Sequence, residues 1–317
     1  MTNRPPQHDF LSVKPSLLPG TPPGIVLSRT ARYLATFSPA AILIAVFFIA
    51  PAIWAIAISM TPLTLLGATA GSTEFIGLDN YRNLFNDPDF LKYLRNTIVF
   101  TLGSAVVGAT GGGLACALLI DHAQRIGNRL AAVAFAAIMF AGVCPPVLTG
   151  AIWAGLLDYR TGLFNSGMSR IGLEPVDWLG RFPLLSVIVA ESWRNVALAM
   201  IVFTATLQMI PGDVYEAARI DGGSRSSVLR SITLPAIRPV AALVLLMTTI
   251  LATGSFLVNE VLTSGGTSRQ SETIALYAYH VAFTDFRIAF GAAISVVILA
   301  LTAGFALVYL RVGRVRA

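Results

Sequence analysis

The chain has 317 residues, of which 55% are hydrophobic and only 12% charged, with a formal net charge of +6. Soluble domains carry roughly 25% charged residues, so an ordinary soluble chain is excluded. The basic residues are spread over the stretches between apolar runs with no aromatic stacking platform, which speaks against nucleic-acid recognition and reads as a membrane-topology signal.

A polar segment comes first, with Pro5, Pro6, Pro15, Pro19, Pro22 and Pro23. Residues 1–34 are expected to form a disordered cytoplasmic tail, because this composition offers no core to bury. The apolar run that follows begins too late and is too long for a cleaved signal peptide.

Six apolar runs then reach the length of about 20 residues that a bilayer demands. They are Ala35 to Met60, Thr97 to Ile120, Leu130 to Leu157, Pro183 to Met209, Val240 to Thr263 and Ile288 to Leu310. Helices satisfy their own backbone in lipid, and the runs lack the period-two alternation of a β-barrel. The expected fold is all-α and polytopic, with six transmembrane helices over residues 35–317.

Arginine and lysine fix the orientation. Arg4, Lys14, Arg29, Arg32, Arg125, Arg129, Arg219, Arg225, Arg230, Arg238, Arg311, Arg314 and Arg316 all fall on one side of this topology. That side is expected to be cytoplasmic, with both termini there.

After the first span, Gly77 permits a turn and Asp87 is placed to begin another before Pro88. Phe90, Leu91 and Leu94 form a short amphipathic pattern suited to the outer interface. In the second span Gly108 and Gly112 lie four apart, so a neighbouring helix can approach there. Pro145 and Pro146 break the third span, and broken helices at membrane depth can line a substrate path. Trp153 is expected at the outer interface. Cys116 and Cys144 both lie within spans and read as buried small side chains.

The fourth span carries Glu191, Trp193, Arg194 and Asn195. Charge inside a span is costly and turns to the protein interior or to water; three residues apart, Glu191 and Arg194 can pair on one helical face. Two readings stand for this group: a neutralised structural pair, or the polar lining of a translocation path with a ring for stacking. Glu260 is open to the same pair of readings.

Between the fourth and fifth spans, residues 211–239 form a polar segment with four arginines. Pro211 and Gly212 stop the fourth span. Asp213 is placed to cap a short helix, with Glu216 completing a capping box. Gly222-Gly223 ends that helix and reverses the chain. Ser224 caps a second helix, and Pro235 is expected to block its continuation. A solvated loop has no need of Ala217, Ala218, Val228, Leu229 and Ile232, so the hairpin reads as a docking element.

The spacing Glu216-Ala217-Ala218, three residues, Gly222, nine residues, Ile232-Thr233-Leu234-Pro235 resembles the cytoplasmic coupling loop of permease subunits of binding-protein-dependent ABC importers, specifically the carbohydrate-uptake branch. The segments Phe75 to Phe90 with Asn96-Thr97, Gly162 to Asn165, Leu207 to Pro211, Ser264-Gly265-Gly266 and Thr273 to Tyr279 with Phe283 are also similar to that branch. Thr267 departs from it, since relatives often have proline there.

The resemblance implies a permease subunit taking up a sugar or sugar-like solute delivered by an extracytoplasmic binding protein or lipoprotein. A second, related permease subunit would complete the pathway. Glu216, Ala217, Ala218, Asp221, Gly222, Ile232, Leu234 and Pro235 would dock onto a cytoplasmic ATPase dimer, which would bind ATP and Mg. Glu191, Trp193, Arg194, Asn195, Pro145 and Pro146 would lie on the substrate path. The implied location is the bacterial inner membrane.

No Gly-x-x-x-x-Gly-Lys-Ser/Thr loop occurs in the chain, so ATP hydrolysis is expected from a partner and no cofactor from this chain. An ion-coupled secondary transporter, with Glu191, Arg194 and Glu260 as coupling groups, is the competing reading. His8, His122 and His280 form no His-Glu-x-x-His pattern and no Gly-x-Ser-x-Gly elbow is present, so neither a catalytic residue nor a metal ligand is expected.

Overall fold

The computed structural model describes residues 29–68, 70–266 and 269–314. The expected tail lies outside the described residues as far as position 28, as does Thr267. Helix begins at Arg29, upstream of the boundary drawn from the sequence. The chain divides into two compact units between Ala52 and Ile53. The described part of the first unit is helical, and Phe37, Phe47 and Phe48 all stand exposed on it, as befits a rod meant for lipid rather than water.

The second unit is helical throughout its described length apart from turns and one isolated bridge. Among the described residues of the whole chain, five helices are long and apolar enough to cross a bilayer, and a bent pair makes up to six. We label α1 Thr36–Ser59, α2 Asp79–Phe85, α3 Phe90–Arg125, α4 Leu130–Val143, α5 Pro146–Leu157, α6 Leu163–Arg170 and α7 Pro183–Gln208. The labels continue with α8 Gly212–Ile220, α9 Arg225–Thr253, α10 Leu257–Thr263, α11 Ile274–Thr284 and α12 Ile288–Arg314.

α7 lies at the centre, packed by α3, α4, α5, α9 and α10. Its approach to α3 is set by glycine, on a wider spacing than the Gly108/Gly112 pair alone. Residues Leu102–Gly111 wind as a π-helix, with bonds to the fifth residue rather than the fourth. That winding stacks Gly103, Gly108 and Gly113 against Ile188, Ser192 and Ala199; a β-carbon on Gly108 would stand 1.9 Å from Ser192 Oγ. Gly112 still touches α7, at Val196.

Two sequence expectations give way here. The amphipathic stretch at Phe90 is not a separate interfacial element but the first turn of α3, with Phe90 buried beside Leu84 and Tyr93. The break expected at Pro145-Pro146 is sharp: α4 and α5 meet at 112°. Pro145 has no N–H and forces the residue before it out of helical geometry; Cys144 is extended, with ψ 126°. The bend carries α5 inward against α7 and α10. Trp153 is therefore buried in a cluster with Val187, Ala190 and Val258 rather than standing at an interface. Cys116 is half-buried, Cys144 is buried, and both are free thiols.

The turns hold as their polar residues dictate. Asp87 Oδ1 accepts from the Asp89 N–H at 2.9 Å. Asn165, buried, donates to the carbonyl of Val176 at 2.9 Å and accepts from its N–H at 3.0 Å, pinning the loop beyond α6. Asp158 accepts from the N–H and hydroxyl of Thr161 and from the N–H of Arg160, which holds its carboxyl below the usual carboxylate range.

Candidate functional site

Two places in the second unit gather the singled-out residues. The first is the hairpin between α7 and α9. Pro211, extended at ψ 141°, ends one helix and precedes the next. Asp213 is not the cap: it lies inside the first turn of α8, where its charge favours the exposed N–H groups. The C-terminus is closed by a Schellman motif. Gly223 N–H donates to the Ala218 carbonyl at 2.9 Å, and Gly222 N–H to that of Arg219 at 3.0 Å. Gly222 takes the left-handed conformation at φ +74°, and a β-carbon on Gly223 would lie 2.7 Å from the Ala218 oxygen. Both glycines are thus required by the reversal.

Ser224 Oγ caps the next helix, accepting from Ser227 N–H at 3.3 Å. Pro235 does not stop that helix, which runs unbroken from Arg225 to Thr253. A π-turn over Leu229–Thr233 precedes the proline and changes which carbonyls must find partners. The hairpin's second arm is thereby one rigid piece with a membrane span.

α8 is seated on its inner side by residues the sequence reading passed over. The Arg125 guanidinium, paired to Asp121 at 2.7 Å, lies 4.7 Å above the Tyr215 ring. The Tyr215 hydroxyl reaches Thr233 Oγ1 at 3.4 Å. A cleft of about 560 Å³ remains beneath, lined by Arg125, Tyr215, Arg219, Arg225 and Leu229. Outward, Glu216 and Ala217 are exposed, and Ile220 is 86% exposed. Ala218 is half-buried on the inner side, whereas Asp221 and Gly222 lie in the open turn. Ile232 is half-buried, and Leu234 and Pro235 are exposed on α9. An aliphatic residue left bare in a polar hairpin is the signal that could have added Ile220 to the docking set.

The second place is midway along α7. Glu191 is fully buried, and its Oε1 accepts from Arg194 at 2.6 Å and from Asn195 Nδ2 at 2.8 Å. The expected pair therefore exists, with Asn195 as a further donor. Trp193 meets Trp153 of α5 edge-on, with ring centroids 6.2 Å apart. Gly142, near the end of α4, touches Ala197 and approaches the Arg194 carbonyl, so the Pro145-Pro146 break runs alongside this polar stretch. Glu191 Oε2, Arg194 Nε, Trp153 Nε1 and Thr149 Oγ1 are buried with no hydrogen-bond partner among the described residues. Buried polar atoms are rarely left so. The sequence placed Trp153 at an interface; the bend in α4–α5 instead brings its ring against Trp193.

Such a protein is a multi-pass membrane protein whose most buried span carries unsatisfied polar atoms and whose inter-span hairpin presents a small, bare face. A family model for the "Binding-protein-dependent transport system inner membrane component" matches residues 109–316. The chain is 34% identical over 245 residues to the trehalose/maltose transport system permease protein MalF of Thermococcus litoralis, covering 76% of this chain and 81% of that one. It is 28% identical to the sulfoquinovosyl glycerol transport system permease protein SmoG of Agrobacterium fabrum, over 98% of this chain and 99% of the relative. Its fold is similar to a chain of a crystal structure of a bacterial ABC transporter that imports the polysaccharide alginate, with a TM-score of 0.71, 22% identity, and coverage of 90% and 96%. The chain belongs to the binding-protein-dependent transport system inner membrane component family.

Proposed function

We propose that this chain is one transmembrane half of an ATP-driven importer for a sugar or sugar-like solute. The bare face of the Schellman-closed hairpin carries the reading. Glu216, Ala217, Ile220, Asp221 and Gly222 form a small surface with one protruding aliphatic side chain, suited to a groove in a cytoplasmic ATPase dimer. Leu234 and Pro235 extend that surface, while Ala218 and Ile232 back it. ATP and Mg are bound by that partner. Because the second arm continues into α9, a displacement of the hairpin moves a whole span.

The hairpin and both termini face the cytoplasm of a bacterial inner membrane. A second permease subunit completes the pathway, and an extracytoplasmic binding protein delivers the solute. The relatives named above for trehalose/maltose and sulfoquinovosyl glycerol transport support the carbohydrate class. So does the chemistry around α7. Glu191 Oε2, Arg194 Nε and Trp153 Nε1 offer one free acceptor and two free donors beside the Trp153 and Trp193 rings, which is what hydroxyls on a stacked sugar ring require. Asn195 and the Pro145-Pro146 break border the same stretch.

The test is a Gly222→Asp variant co-expressed with the neighbouring ATPase and binding protein. Membrane insertion is expected to be unchanged, while the ATPase no longer co-purifies and uptake falls at least tenfold. Normal uptake with this variant sinks the proposal.

A further inference from the structure

His280 lies between two carboxylates. Its Nε2 is 2.9 Å from Glu260 Oε2, and its Nδ1 is 3.1 Å from Glu272 Oε1. A neutral imidazole has one N–H and one bare nitrogen, and an ionised carboxylate only accepts. With one proton the ring would satisfy one glutamate and turn a lone pair on the other at about 3 Å. Both contacts are attractive only when the cluster holds one proton more than a neutral ring and two carboxylates can supply.

The charges balance in that state. Glu272 is fully buried and is met on its other oxygen by Arg269 Nε at 3.3 Å. Two carboxylates then face one guanidinium and one imidazolium. Four other ionisable groups near the ring have partners or positions of their own. Tyr93 on α3 takes a hydrogen bond from Arg269 at 3.3 Å. Tyr277 donates to Asp87 at 2.8 Å. Tyr279 lies beside the ring with centroids 5.9 Å apart. Arg287, at the base of α12, is turned over Phe290 at 4.3 Å.

The position matters as much as the chemistry. Glu260 is on α10, whose Val258 and Leu262 belong to the apolar cluster around Trp153 and Val187. His280 is on α11, whose Ile274, Tyr277, Ala278 and Val281 belong to a different cluster with Leu84, Tyr93 and Phe290. The chain is jointed on both sides of α10. α9 stops at Thr253, before Gly254, and Ser264, Gly265 and Gly266 follow one another at positive φ. Asn259 donates to the Ser271 carbonyl at 2.7 Å and Thr263 bonds the Ser271 hydroxyl at 2.8 Å, so the seam has neutral stitches as well. Among the described residues of the seam, the Glu260–His280–Glu272 stitch is the one that depends on a proton.

We propose that His280 is a proton-binding clasp that holds α10 to α11 when protonated and releases Glu260 when the proton leaves. The sign follows directly: the seam is closed at low pH and loosens as pH rises, because the second N–H donor is lost. The proton is held at the seam and does not cross the membrane with solute. The side it comes from is the extracytoplasmic one if the orientation proposed above is correct.

The experiment is ¹⁵N NMR on the full chain, labelled at histidine, in phosphatidylethanolamine–phosphatidylglycerol vesicles between pH 5 and 9. His280→Gln identifies the signal among the three histidines of the chain. The expected signal shows two protonated nitrogens at low pH and converts to a neutral ring as pH rises. Glu260→Gln and Glu272→Gln are each expected to change this conversion, because each removes a carboxylate from the ring. A bare nitrogen on His280 at pH 5, or a titration unchanged in both variants, overturns the proposal. Spin labels at Val261→Cys and Phe283→Cys then read the seam. Their separation is expected to grow with pH in the wild-type background and to ignore pH with His280→Gln. A separation that ignores pH while the ring titrates also overturns it. Neither readout uses ATP or solute, so failure here and failure of the uptake reading are separately visible.

Discussion

Glu191 shows what a single side chain contributes. A carboxylate at membrane depth persists only if it is paired and hydrogen-bonded, and Arg194 and Asn195 supply both. Removing one partner from a buried pair costs about 3–5 kcal/mol, and Arg194, still a fifth exposed, places this case at the lower end. Glu191→Ala is expected to lower the thermal midpoint of the detergent-purified chain well below that of Glu191→Gln, since the amide keeps an acceptor for Asn195. Equal midpoints would show that the pair is not structural. At the hairpin, Gly223→Ala drives a methyl group to 2.7 Å from the Ala218 carbonyl. The expected result is at least a tenfold loss of uptake with normal amounts of protein in the membrane.

The pairing of Glu191 with Arg194 was legible in the sequence because three-residue spacing on a helix fixes the neighbours. The part played by Trp153 was not. It meets Trp193 because α5 leaves α4 at 112°, and two prolines announce a break without giving its angle.

At the scale of elements, winding decides which residues meet. The π-helical stretch of α3 puts glycines five apart on one face, where a regular helix would have matched positions three or four apart. Gly108→Val inserts bulk where Ser192 already stands, and overpacking of this kind costs about 1–3 kcal/mol. The loss should be partly recovered by Ser192→Gly in the double variant, read as a thermal midpoint above that of Gly108→Val alone. No recovery would mean that the two helices do not meet at this point. The same lesson applies to Pro235. Read alone it stops a helix; preceded by a π-turn it is carried inside one of 29 residues. The hairpin's capping by Ser224 and its glycine reversal were readable, because they depend on local bonds only. Ile220 is the outward counterpart: Ile220→Glu leaves every intrachain contact described for α8 in place, and is expected to keep α8 folded while abolishing recovery of the ATPase with the chain.

For the molecule as a whole, the ATPase docking proposed above would account for a charged hairpin between two spans in a chain so poor in charge. Topology is its most direct test. Ser226→Cys on the hairpin should react with a membrane-impermeant thiol reagent only from the cytoplasmic side. Ser169→Cys at the end of α6 should react only from outside. The native Cys116 and Cys144, half-buried and buried, give the low background this needs. Labelling of both sites from the same side would refute the crossing by α7, and labelling of Ser169→Cys from the cytoplasm would refute the bent α4–α5 pair as one crossing.

The sequence by itself determined the class, the approximate spans and the glycine reversal of the hairpin. Apolar run length, arginine placement, caps and glycine turns are local quantities, and a bilayer or a short helix responds to them without reference to the rest of the chain. Tertiary structure decided the bend of the third span, the π-winding that seats α3 on α7, the burial of Trp153 and the meeting of His280 with Glu260 and Glu272. Each depends on which surfaces arrive opposite one another after the chain has turned, and residues that are 20 and 8 positions apart in the clasp carry no shared period that would announce their contact.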